Sequence, residues 1–234
     1  MQPLIRAGAD RRSTPQMSAD PTTTQRQPPA GRRSQPRRGG VAPIPAAVCQ
    51  ATTELLAERP LAKLTVSGIL ARSGVSKTSF YYHFASKEAV VATLVEQIAD
   101  ELDAQIAALP SRGFGDRETI RAALSAGFGL WDAHRTVLLV VQAAARTPSP
   151  LGTIWQTLVE ERYVRPFAER ARAAQAAGRL AAESDPLALS RALHWMTEQA
   201  LYAHAAGLDR TAPDVAAEAL AHVWAASLAG PPAR

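Results

Sequence analysis

Seven neighbouring side chains carry the most pointed chemistry in this chain. Ser76, Lys77, Thr78, Ser79, Tyr81, Tyr82 and His83 are hydroxyl-bearing, cationic or aromatic-polar, and no acidic residue interrupts them. Such a set suits nucleic acid. A lysine reaches the guanine acceptors of the major groove, and a threonine methyl meets the thymine methyl. Hydroxyls bond to base edges or to phosphates, whereas a carboxylate would repel the phosphate backbone. Lys77, Thr78 and Ser79 lie nearest the start of their expected helix and are the first candidates for base-edge contact. Tyr82 reaches a base or the sugar.

These residues need a rigid carrier, and residues 65–88 predict one. Thr65 is an N-cap type, and Val66, Ile69 and Leu70 recur at i, i+3 and i+4, which gives a short helix one apolar face. Gly74 falls where that helix must stop and reverse, because glycine adopts the left-handed conformation without steric penalty. Val75 fills the space between two helices, Ser76 caps the second, and Phe80 and Phe84 anchor it inward. The pattern is a helix-turn-helix, a motif whose second helix enters the major groove with its N-terminal residues at the base edges. One such head contacts few bases, so a homodimer on a palindromic or near-palindromic double-stranded DNA operator is expected.

The run Gly74-Val75-Ser76-Lys77-Thr78-Ser79-Phe80-Tyr81-Tyr82-His83-Phe84, followed by Ser86-Lys87-Glu88, resembles the DNA-binding signature of TetR-family transcriptional repressors. Arg59-Pro60-Leu61-Ala62, Gln142-Ala143-Ala144-Ala145-Arg146, Leu193 to Gln199 and Ala221-His222-Val223-Trp224 extend the likeness, toward the ethionamide-resistance-regulator type within that family. The likeness is dense over 44–95, patchier over 96–229, and absent from 1–42. It implies phosphate clamping by Thr65, Tyr81, His83 and Lys87, the last in a first helical turn whose backbone N–H groups also favour a phosphate. Ser79 stands where the family commonly has Gly or Pro, which bears on base specificity. The resemblance also implies a long apolar channel lined by Phe128, Trp131, Trp155, Val159, Tyr202 and Trp224, with His194 and Thr197 orienting its ligand. Both of those are polar here but differ in type from the family's residues. Ile120 and Leu124 lie on the same helices and add apolar wall. The function so implied is a ligand-responsive repressor, released from DNA by an apolar small-molecule effector. The alternatives are a ligand-independent architectural DNA-binding protein or an activator.

The chain has 234 residues and a net charge of +5. Residues 1–40 hold eight arginines against two aspartates, a local charge of +6, so residues 41–234 sum to −1. A Pro-, Gln-, Arg- and Ser-rich segment of this kind buries too little apolar surface to offset its ordering entropy, and residues 1–42 are expected to be a disordered basic tail. It is a basic arm for phosphates, an inert solvating tail, or the product of an early start codon, with Met17 a later candidate. No apolar run marks a signal peptide or a transmembrane helix. Cys49 is the single cysteine, which rules out an intrachain disulfide and suits a reducing compartment. A cytoplasmic, nucleoid-associated location follows.

Beyond the tail the apolar spacing is helical throughout, and no segment alternates with period two. Helices are expected over 43–59, 87–109, 116–134, 136–146, 151–177, 185–206 and 213–229, in addition to the two of the motif. Pro166 should kink or split its helix. The stretch 136–146 is apolar enough to be buried on all sides. The fold class is therefore all-α: a three-helix DNA-binding head over 43–88 and a six-helix ligand-binding and dimerisation body over 89–229. Ala200, Ala203, Ala205, Ala206, Ala216, Ala217, Ala219 and Ala221 allow close approach of the last two helices at a dimer seam. Enzyme chemistry is poorly provided for. His194 and Glu198 share a helix face at i and i+4, but no metal-binding, nucleophile or phosphate-loop motif occurs, and neither metal nor cofactor is expected.

Overall fold

Short polar side chains start most of the helices. Thr65 Oγ1 accepts the Gly68 amide at 3.1 Å, Ser76 Oγ the Ser79 amide at 3.1 Å and Ser86 Oγ the Ala89 amide at 3.2 Å. Asp116, Ser149 and Asp185 do the same for Thr119, Gly152 and Ala188. Each cap satisfies an N–H that the first helical turn leaves without an intrahelical partner. The structure, a computed structural model, describes residues 43–110, 113–180 and 185–229. The expected basic tail lies outside them.

The described elements are α1 (Ile44–Glu58), a short 3-10 turn (Leu61–Lys63), α2 (Val66–Ser73), α3 (Lys77–His83), α4 (Lys87–Ala107), α5 (Arg117–Ala133) and α6 (Arg135–Ala145). There follow α7 (Pro150–Val159), a π-helical turn (Glu160–Val164), α8 (Arg165–Ala176), α9 (Pro186–Ala205) and α10 (Pro213–Ser227). No strand occurs among the described residues. The fold is all-α, with three helices in the head. In the body α7, the π turn and α8 form one continuous rod, so the described helices there number six rods.

Pro166 does not break that rod. Its ring crowds the carbonyl four residues back and it has no N–H to give. The helix widens just ahead of it, and the Arg165 amide bonds to the Glu160 carbonyl, one residue further back than in an α-helix. The widened turn carries Arg162 onto α4, where the guanidinium meets Asp100 at 2.6 Å, Asp103 at 2.7 Å and Glu96 at 3.6 Å. The α6 helix is less enclosed than its composition suggests. Val137, Leu138, Val141 and Gln142 are buried, but Leu139 and Val140 are half-buried and Ala143 is exposed. Gly152 sets the tight hairpin between α6 and α7, since a Cβ there would lie 2.5 Å from the Ala144 carbonyl.

The core runs lengthwise along α4. Val90, Val91, Val95, Ile98 and Ala99 are buried, and α4 packs on α1 in the head and on α5, α6 and α7 in the body. The expected boundary between 88 and 89 falls inside α4, an unbroken helix. α10 lies chiefly along α5. Ala205, Ala217 and Ala221 are buried within the protomer, so these small residues serve packing inside the chain, while Ala219 stays exposed. Among the described residues no helix is long and apolar enough to cross a membrane.

Candidate nucleic-acid interface and effector region

The recognition helix α3 rests on two aromatic rings. Phe80 and Phe84 are buried, with ring centroids 5.8 Å apart, and Tyr81 meets Phe80 edge-on at 5.3 Å. Gly74, at φ 69°, makes the left-handed turn that brings α3 round after α2. With the floor fixed, the opposite face is turned to solvent. Tyr81 is 49% exposed and Tyr82 85%, and Lys77, Thr78 and His83 are exposed beside them. The Tyr82 and His83 rings pack edge-on at 4.9 Å. An exposed tyrosine ring of this kind forfeits burial in the free protein, which points to a partner outside the chain.

The remaining candidates in the head are less free. Ser76 Oγ takes the cap amide and donates to Ser79 Oγ at 2.9 Å, and Ser79 is half-buried. Thr65 Oγ1 is exposed and lies 3.1 Å from Ser67 Oγ. Lys87 is engaged within the head: its ammonium donates to the backbone carbonyls of Leu61 and Leu64. Two acidic groups of α1 are paired with a cation of α2. Arg72 ties α2 to α1 through Glu58 at 2.7 Å and Glu54 at 3.3 Å, and its guanidinium, with Arg59, holds the Glu58 carboxyl below its ordinary range.

In the body the expected lining residues fall into groups. His194, Trp224, Phe167 and Phe114 form a chain of ring contacts 5.0–5.7 Å apart. Trp224 Nε1 donates to Thr197 Oγ1 at 3.0 Å. His194 Nδ1 lies 2.8 Å from the Ser190 carbonyl, and burial pushes its pKa down, which favours the neutral ring. Trp155 Nε1 donates to Glu198 Oε1 at 2.6 Å, and Gln142 Nε2 donates to the same oxygen. Phe128 stands apart and packs edge-on against His204 at 5.4 Å. Leu124 and Trp131 are buried, Ile120, Val159 and Tyr202 half-buried, and Arg146 covers the Tyr202 ring at 4.3 Å.

Gln142, Glu198, Phe114 and Phe167 thus join this region without having been expected there. Gln142 had a signal: a single polar side chain closing an apolar helical run needs a buried partner. Glu198 and His194, four residues apart, do not pair but engage separate groups. Two clefts open elsewhere. One of about 270 Å³ lies between α1, α4 and the α5–α6 turn and includes Thr53, Gln97, Glu101 and His134. The other, about 460 Å³, lies between α4 and α7 and includes Glu96, Ile154, Leu158 and Arg162. Neither is lined by the expected channel residues.

Residues 48–94 match the model of the bacterial regulatory proteins of the tetR family, and residues 120–230 match that of the C-terminal domain of the transcriptional regulator EthR. Over 207 residues the chain is 29% identical to the HTH-type transcriptional regulator EthR of Mycobacterium tuberculosis, covering 86% of this chain and 94% of the relative. The regulator of the same name in Mycolicibacterium smegmatis is 25% identical over 211 residues, covering 89% and 96%. A TetR-family transcriptional regulator from Syntrophomonas wolfei shares the fold, with a TM-score of 0.67 at 15% identity over 77% of this chain and 92% of its own. With a solvent-facing recognition helix inside the first match and an aromatic helical body inside the second, the chain belongs to the TetR family, as a DNA-binding transcriptional regulator of the EthR type.

Proposed function

We propose that this regulator is a ligand-responsive repressor that binds a two-fold operator as a homodimer and is released by an apolar small molecule. The observation that carries the DNA half is the solvent-facing, acid-free surface of α3 above the buried Phe80 and Phe84. Lys77, Thr78, Ser79 and Tyr82 read bases, while Thr65, Ser76, Tyr81, His83 and Lys87 hold the backbone. The dimer reading draws on the last two helices and the loop between them. Trp195 is 63% exposed, Leu208 71%, Val215 56% and Val223 42%, an apolar surface that association would remove from water. The effector reading draws on the aromatic body, where Phe128, Trp131, Trp155, Val159, Tyr202 and Trp224, with Ile120 and Leu124, supply apolar wall and His194 and Thr197 supply orientation.

Footprinting of the DNA upstream of the gene, across a salt series, tests the proposal. A protected two-fold site whose affinity falls steeply with salt is the expected result. Salt-sensitive binding without a protected site there or elsewhere in the genome favours an architectural protein instead. Loss of the footprint on adding an apolar compound identifies an effector. A reporter fused to the protected promoter distinguishes repression from activation, because the sign depends on where the operator lies relative to the promoter.

A further inference from the structure

We propose that the cleft between α1, α4 and the α5–α6 turn is a second small-molecule site, suited to a compact molecule with an apolar body and a cationic, hydrogen-bonding head. The cleft has a volume of about 270 Å³. That is the bulk volume of about nine water molecules, near the lower end of the range for ligand pockets. Leu94, Ile98 and Val137 give it apolar wall, and Ile98 and Val137 are buried. Water against such a wall is poorly held, and an apolar group that displaces it gains free energy.

The polar side chains of the cleft define the other end of the ligand. Thr53, Gln97 and Thr136 line it, and none of these three side chains makes a hydrogen bond among the described residues. Thr53 and Thr136 are half-buried, and Gln97 is exposed at the rim. Each offers an acceptor oxygen, and an ammonium brings three N–H donors and no acceptor. Charge points the same way. Among the described residues Glu101 is the one carboxylate in the lining, and no lysine or arginine lines it. Glu101 Oε2 lies 2.8 Å from His134 Nε2, which ties α4 to the start of α6 along one wall, and Glu101 Oε1 accepts from Gln105 at 3.2 Å. An anionic ligand meets that carboxylate with no guanidinium or ammonium to answer it, whereas a cation is attracted. The site also bridges two parts of the chain, because α1, which contributes Thr53, packs on α2 and α3 in the head. It shares no residue with the aromatic region proposed for the effector, so it stands or falls apart from that reading.

The probe is 2-phenylethylammonium, whose ring suits the apolar wall and whose ammonium suits the three acceptors. The full-length protein is titrated and followed through its methyl resonances. The Ile98 and Val137 methyls should shift saturably, with a Kd of about 1 mM or tighter, and should show contacts to the phenyl protons. Gln97→Leu, at an exposed position, should weaken binding about tenfold. Ala133→Trp, which fills the cleft from an exposed lining position, should abolish the shift while the unfolding midpoint holds. The carboxylate 3-phenylpropionate should leave the same methyls unmoved. No saturable shift at Ile98 and Val137 up to about 10 mM overturns the proposal. So do shifts confined to the Trp155 and Trp224 indoles, which would place the probe in the aromatic region instead. Equal affinity in Gln97→Leu, or equal binding of the carboxylate, overturns the assignment of a cationic head.

Discussion

In the head, the polar side chains of α3 face solvent over a closed floor of Phe80 and Phe84. In the body, Glu198, Gln142, Trp155, Thr197 and Trp224 spend their polar atoms on one another. The first arrangement leaves the side chains of Lys77, Thr78 and Tyr82 exposed and outside the buried core, so that on the proposed reading recognition and folding draw on largely different residues. The second merges them. A molecule entering the body must replace hydrogen bonds already made, and only a ligand with matching polar groups recovers that cost. The proposed DNA surface is therefore built in advance, whereas the proposed effector region is held together by contacts that an effector would have to exchange.

Substitutions on each side of this contrast can break it. The largest effect is expected at the floor of the head. Phe80→Ala should destabilise the protein by about 3–5 kcal/mol and abolish DNA binding, measured by urea unfolding and by gel shift. Lys77→Met, on the open face, should lower DNA affinity by about 1–3 kcal/mol and either relax one base preference or reduce the salt slope by about 1. Its unfolding midpoint should hardly move, with stability within about 0.5 kcal/mol of wild type, and a larger loss would contradict the separation of roles in the head. In the body, Trp155→Phe removes the indole donor to Glu198. Stability should fall by about 1–3 kcal/mol, with DNA affinity in the absence of effector unchanged.

The smallest effect is a dependence on pH. Burial, opposed by the Ser190 carbonyl and by Glu160, leaves the His194 pKa below its ordinary value. Above about 6.5 both folded and unfolded forms are neutral, so the residue contributes no slope. As pH drops below that value, the unfolded chain takes up a proton that the folded chain refuses, and stability declines until the folded-state pKa is passed. Thermal midpoints of wild type and His194→Gln, compared from about pH 7 down to about pH 5, should diverge as pH falls, with wild type losing more. Parallel curves would mean that His194 is as free to ionise as an exposed histidine.

The features that were legible in the sequence are those determined within a few residues. Thr65, Ser76, Ser86, Asp116 and Asp185 cap the helices they precede, and Gly74 makes the turn, because each acts on amides or dihedrals close by. Phe80 and Phe84 turn inward because a helix puts i and i+4 on one face. The features that stayed hidden depend on partners far along the chain. Lys87 meets carbonyls 26 and 23 residues away, so its type announces a cation without saying where the charge goes. Pro166 announced a disturbance, but its form, a widened turn just ahead of the proline, needed the tertiary setting in which Arg162 grips α4. The alanines of α9 and α10 could be counted but not oriented, since three of them are consumed inside the protomer.

The length of α4 gives the proposed switch a mechanical scale. A helix of 21 residues is about 31 Å long, and tilting it by about 5° about its middle moves each end by about 1.4 Å. That is about half a hydrogen-bond length, enough to take the recognition helix out of register with a base edge, where tolerance is a few tenths of an ångström. With Lys87 at one end and the Arg162 grip farther along, a shift too small to alter the packing of the body becomes a displacement of the reading surface. On the proposed function, an effector would not have to rebuild the fold; it would have only to turn one rod.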